Sequence, residues 1–163
     1  MMTQEFTPGK DQPQGILLKL VGFFLGTEEY AVDILRIKEI KLMQEITSVP
    51  KSPDFVEGVI NLRGDIIPII DLKKKLSLGK AAIDEETKII VVEIEGKLVG
   101  MIVDEVSEVI EIEDTKLAPP PSIIAGIEGE YLKGVGKMDD KLLILLDITK
   151  ILTSEEKMHL KHT

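Results

Sequence analysis

Two stretches of the chain lie over one another without a gap. Gly58 to Leu76 aligns with Gly134 to Leu152, with identity at Gly58/Gly134, Val59/Val135, Asp71/Asp147, Lys74/Lys150 and Leu76/Leu152 and mostly apolar exchanges elsewhere. Earlier in each copy, Ile37 to Ile40 matches Val106 to Val109, and Gly26 matches Gly96 once one residue is inserted, so the offset stays near seventy throughout. A repeat of this period means that one supersecondary unit is present twice, and it limits the folds open to the chain.

The unit reads as β. Aliphatic and β-branched residues come in runs of five to eight with turn residues or charges between them. In the first copy strands are expected over 16–25, 30–35, 37–43, 58–62 and 66–71. A hairpin is expected around Arg63-Gly64-Asp65, where Gly64 supplies the positive φ of a tight turn. One or two helical turns then run over 72–78 to Gly79. The second copy repeats this over 88–94, 98–103, 106–112, 131–138 and 141–146, with Asp139-Asp140 at the corresponding turn and a Pro119-Pro120-Pro121 loop before it. Thr153-Ser154-Glu155-Glu156 is a capping-box pattern and predicts a C-terminal helix over 153–161.

A five-strand unit alone buries little surface. The pair is therefore expected to be mainly β: two tandem five-stranded barrels, over about 16–80 and 87–152, packed through a shared apolar layer, with a short helix after the last strand of each. Such a pair has a seam, and the seam is where a partner would dock. Residues 1–15 read as a polar tail, and 158–163 as a second one.

Charge and composition remove several function classes. The net charge of −9 and an aromatic content of 4% speak against nucleic-acid binding. Absence of cysteine excludes a disulfide framework, a thiolate nucleophile and a cysteine-held metal. The first apolar run, 16–25, is broken by Lys19 and too short to cross a bilayer, which argues for a cytoplasmic protein without membrane insertion. Gly134-Val-Gly-Lys137 lacks the phosphate-loop spacing, with Met138 where a hydroxyl is required, and His159 and His162 sit in the terminal tail. No catalytic residue, metal site or cofactor site is expected.

The segments Tyr30 to Ile40, Pro53 to Gly64, Pro68 to Leu72 and Val103 to Val109 closely resemble the CheW family of chemotaxis coupling proteins, and Gly58-Val-Ile-Asn-Leu-Arg-Gly64 is the most specific of them. The resemblance covers residues 16–157. It implies two five-stranded SH3-like barrels around a common core. It also implies a non-enzymatic adaptor, recruited from the cytoplasm to membrane receptor arrays, that joins the tips of methyl-accepting chemoreceptors to the regulatory domain of the CheA histidine kinase. Carried over by position, Ile37, Glu39, Arg63 and Val109 are the receptor-side candidates, while no kinase-contact residue is assigned. A double barrel with a small molecule in its seam, and a scaffold with other signalling partners, are the alternatives.

The duplication helps to weigh these four. The counterpart of Arg63 is Asp139, so the hairpin does not need an arginine to form, and a guanidinium there could fork onto a carboxylate or carbonyl of a partner. Glu39 and Glu108 are equivalent, which fits a solvated face as well as a contact. Ile37 and Val109 are apolar at positions where alternation points them toward the core or the seam, with the core as the default. Pro68 lacks a ladder donor, so its strand is expected to be an edge or to carry a bulge.

Overall fold

The computed structural model describes residues 15–119, 131–153 and 156. The expected N-terminal tail up to residue 14, most of the Pro-rich loop and most of the C-terminal helix lie outside them. Eleven strands are described: β1 (Leu17–Leu25), β2 (Glu28–Asp33), β3 (Ile37–Leu42), β4 (Val56–Leu62), β5 (Asp65–Asp71), β6 (Lys88–Ile94), β7 (Lys97–Val103), β8 (Glu105–Glu113), β9 (Leu117–Ala118), β10 (Leu132–Met138) and β11 (Lys141–Leu146). A single helical turn, α1 (Leu72–Lys75), follows β5, and a 3-10 turn, Ile148–Lys150, follows β11. Two-residue turns join the hairpins. Arg63-Gly64, Glu95-Gly96 and Asp139-Asp140 all hold positive φ, as the twist of paired strands demands. Gly26 occupies the place of Glu95 and not, as the alignment expects, that of Gly96, because β1 and β2 close on Leu25 and Glu28 while β6 and β7 close on Ile94 and Lys97.

The strands form a six-stranded sheet in the order β9-β10-β11-β2-β1-β8 and a five-stranded sheet in the order β3-β6-β7-β5-β4. Repeats and sheets therefore do not share boundaries. The spans 16–80 and 87–152 are the repeats, and each sheet takes its leading hairpin from one repeat and its remaining strands from the other. Parallel pairing makes the joint in both: β2 lies beside β11, and β7 beside β5. The internal symmetry is close. Phe23 pairs with Val106 as Val92 pairs with Ile37, and a bulge follows in each ladder. Each sheet also curls closed. Thr47, beyond β3, exchanges both backbone hydrogen bonds with Val59 of β4 (2.9 and 2.8 Å), and β9, beyond β8, pairs with β10.

Burial explains why several strands read as unbroken apolar runs. Ile89 and Val91 point into the five-stranded barrel with Ile60, Leu62, Ile67, Ile69 and Ile102, whereas Ile90, Val92 and Ile94 point the other way. They meet Phe23, Tyr30, Val32, Ile144 and Leu146 of the six-stranded sheet in a layer shared by both barrels. Leu20, Ala31, Ile110, Ile112, Leu143 and Leu145 fill the other barrel. A strand buried on both faces has no polar side to alternate, and each such Ile or Val contributes roughly 1.5–3 kcal/mol on burial.

Pro68 does not lie on an edge, since β5 runs between β4 and β7. Val59 sends both its backbone bonds to Thr47, so its pairing with Pro68 needs no donor from the proline, and the parallel ladder with β7 begins only at Ile69. The bulge falls on β4, between Val56 and Gly58. The capping box does form: Glu156 Oε1 accepts from the Thr153 amide at 2.9 Å, and Thr153 Oγ1 accepts from the Glu156 amide at 3.1 Å.

Candidate functional site

Barrel closure brings together two residues that stand far apart in the chain. β3 and β4 are the two ends of the five-stranded sheet, and Arg63, at the tip of the β4–β5 hairpin, reaches back to Glu39 on β3. Its Nη2 donates to Glu39 Oε1 at 2.6 Å, and Lys41, on the same face of β3, stands 3.8 Å from the other Glu39 oxygen. Arg63 hydrogen-bonds and holds the Glu39 carboxyl below the usual carboxylate range, although the burial of Glu39 opposes this. In return Glu39 raises the Arg63 guanidinium. The Arg63 side chain remains 71% exposed, so one edge is braced from within and most of its surface faces outward. Asn61 fixes the turn beneath it, with Oδ1 accepting from the Gly64 amide at 2.8 Å.

The second copy supplies the control that the alignment suggests. Met138 and Lys141 close a two-residue turn at Asp139-Asp140, as Leu62 and Asp65 close one at Arg63-Gly64. Both turns place their first residue at φ near 50°. The same backbone thus forms with an acid where the first copy has its arginine.

The other two candidates fall in different settings. Ile37 begins β3, two residues before Glu39, and is partly buried against the shared layer, as the default for an apolar residue predicts. Val109 belongs to β8 in the other sheet and is 57% exposed, which corrects the core default for that residue. The reason is register. Val109 is the structural counterpart of Ile40, itself 42% exposed, because both lie on end strands whose outer face is uncovered. Lys41, the third charge on this face, carries no signal in the sequence, since only closure of the barrel shows that β3 and the β4–β5 tip are neighbours.

Open depressions of about 510 Å³ beside Phe24, Glu28, Leu142 and Ile144, and of about 420 Å³ beside Met43, Glu57, Lys74 and Ile83, each lie against the residues of one barrel. Neither is a chamber in the seam of the kind a seam-bound small molecule would need. Among the described residues no helix is long and apolar enough to cross a membrane.

Comparison with known proteins gives a consistent result. The family model described as the CheW-like domain matches residues 19–156. The chemotaxis protein CheW of Klebsiella aerogenes is 42% identical over 134 residues, covering 82% of this chain and 81% of that one. The CheW of Treponema pallidum is 37% identical over 142 residues, covering 85% and 84%. The crystal structure of the scaffolding protein TtCheW from Thermoanaerobacter tengcongensis superposes with a TM-score of 0.80 at 38% identity, covering 93% of this chain and 96% of that one.

Proposed function

The chain belongs to the CheW-like family, and from that premise we propose that it is a chemotaxis adaptor that couples the cytoplasmic tips of chemoreceptors to the regulatory domain of the CheA kinase. It acts by positioning, without chemistry of its own: one surface holds the receptor tip, another holds the kinase, and receptor state reaches the kinase as a difference in binding free energy between two receptor conformations. The receptor-side surface is assigned to Ile37, Glu39, Arg63 and Val109, and the protein is recruited to receptor arrays from the cytoplasm.

The observation that carries the receptor-side assignment is the braced, outward-facing guanidinium of Arg63 on a turn that its counterpart forms with Asp139. An arginine held from behind by Glu39 loses less side-chain freedom when it meets a partner carboxylate or carbonyl, and such pre-organised arginines dominate many interfaces. Arg63→Ala is expected to keep the circular dichroism spectrum and melting temperature of the wild type while weakening receptor affinity by roughly ten-fold or more. Co-sedimentation with receptor-containing membranes and kinase measures this directly. Unchanged affinity would remove Arg63 from the surface, and wild-type protein that neither sediments with receptor and kinase nor supports receptor control of autophosphorylation would overturn the adaptor reading.

A further inference from the structure

Because the sheets exchange strands, the chain passes between them at only two places among the described strands. The first crossing, from β2 to β3, is a 3-10 turn at Ile34–Arg36, where Asp33 Oδ1 accepts from the Leu35 amide at 2.9 Å. The second, from β7 in the five-stranded sheet to β8 in the six-stranded sheet, is one residue long, and that residue is Asp104.

The carboxylate of Asp104 holds both barrels. Its Oδ2 accepts from the Gly26 amide at 2.7 Å, in the β1–β2 turn of the six-stranded sheet. The same oxygen lies 3.2 Å from the Lys73 ammonium on α1, which follows directly from the five-stranded sheet. Its backbone amide donates to the Phe24 carbonyl at 3.1 Å. Both charged partners are largely sheltered, the Lys73 side chain 14% exposed and that of Asp104 21%. Asp104 Oδ1 is buried and accepts from no described residue, which costs the folded state free energy.

We propose that Asp104 is the positioning residue that fixes the angle between the two barrels. Two packed barrels joined by short crossings can slide or rotate against each other as a unit, and a tie at a crossing, made to both sides at once, holds them in one of those arrangements. The consequence for signalling rests on the adaptor reading: receptor-side and kinase-side surfaces keep a defined relative orientation only while the tie is made.

The absence of native cysteine allows a direct test on the full chain. Spin labels at Lys97→Cys on β7 and Lys137→Cys on β10, both exposed, report one distance between the sheets by double electron–electron resonance. Asp104→Asn and Lys73→Met are each expected to broaden the distribution or shift its mean by on the order of 2 Å or more, and to reduce receptor control of kinase activity several-fold in folded protein. Lys73→Met leaves the bond to Gly26 in place and serves if Asp104→Asn folds poorly. A distribution unchanged in both variants overturns the proposal, and an altered distribution with wild-type control of the kinase overturns its consequence for signalling. A parent chain that never couples receptor to kinase removes the adaptor reading instead, and leaves the distance measurement to decide the tie alone.

Discussion

Gly58→Ala is expected to lower the melting temperature by about 10 °C, the equivalent of roughly 3–4 kcal/mol in a domain of this size. Gly58 has φ near 150°, a backbone conformation that side-chain-bearing residues rarely adopt. A Cβ built there would overlap the Thr47 carbonyl oxygen and come within 2.7 Å of the Thr47 carbonyl carbon. Neither atom can move aside cheaply. Thr47 and Val59 make the backbone pair that closes the five-stranded barrel, so relieving the clash loosens that closure. The second copy again provides a control. Gly134 is the aligned residue and follows the equivalent bulge, but its φ is not in the restricted range, and an added Cβ would meet Ala118 O and Leu117 Cβ at 3.3 Å. Gly134→Ala is expected to cost about 1 kcal/mol or less. Thermal melts of the two variants side by side check the pair, and equal, small shifts would show that the Thr47 closure tolerates displacement.

Strand positions were largely legible because alternation and turn chemistry are local. Lys88–Ile94 and Lys141–Leu146 agree with expectation at both ends, and the tight turns fall where glycine and aspartate mark them. Strand exchange was not legible for a physical reason. The two repeats carry the same apolar pattern, so a leading hairpin can complete either its own three strands or those of the other copy, and only packing in three dimensions decides. The site shows the same division. Arg63 stood out through its mismatch with Asp139, yet its partner Glu39 is 24 positions away and becomes a neighbour only on barrel closure. Val109 was misplaced because apolar character alone does not reveal that β8 ends a sheet. Asp104 was visible as part of a motif, but its role at a crossing depends wholly on the topology.

Lys75 is the charge that the duplication explains least, and its removal carries the other large expected effect. Its counterpart by alignment is Ile151, fully buried in the shared layer. The Lys75 side chain is itself only 8% exposed, with its ammonium 4.8 Å from the centre of the Phe55 ring and 5.5 Å from that of Tyr131, two rings that are counterparts of each other. Both Glu156 oxygens close the arrangement, at 2.8 and 2.9 Å. Breaking a sheltered pair on one side leaves the other charge uncompensated and also forfeits the cation–π attraction and the packing of the lysine stem. Lys75→Ala is therefore expected to cost about 3 kcal/mol. Lys75→Met retains the stem, and combined with Glu156→Gln it should recover much of the loss, because two neutral groups leave no stranded charge. Acid denaturation adds a signed check. Burial works against ionising Glu156, but its bonds to Lys75 and to Thr153 prevail and hold the carboxyl below its ordinary value. A carboxylate whose folded value is depressed contributes stability above its unfolded value and loses it as pH falls through the folded one. Wild-type stability should accordingly fall as pH drops from the ordinary glutamate range to below the depressed value, and Glu156→Gln should lack that component of the fall. Urea midpoints measured across that range decide it: parallel curves for wild type and Glu156→Gln would mean that the Lys75 pair contributes nothing to the fold.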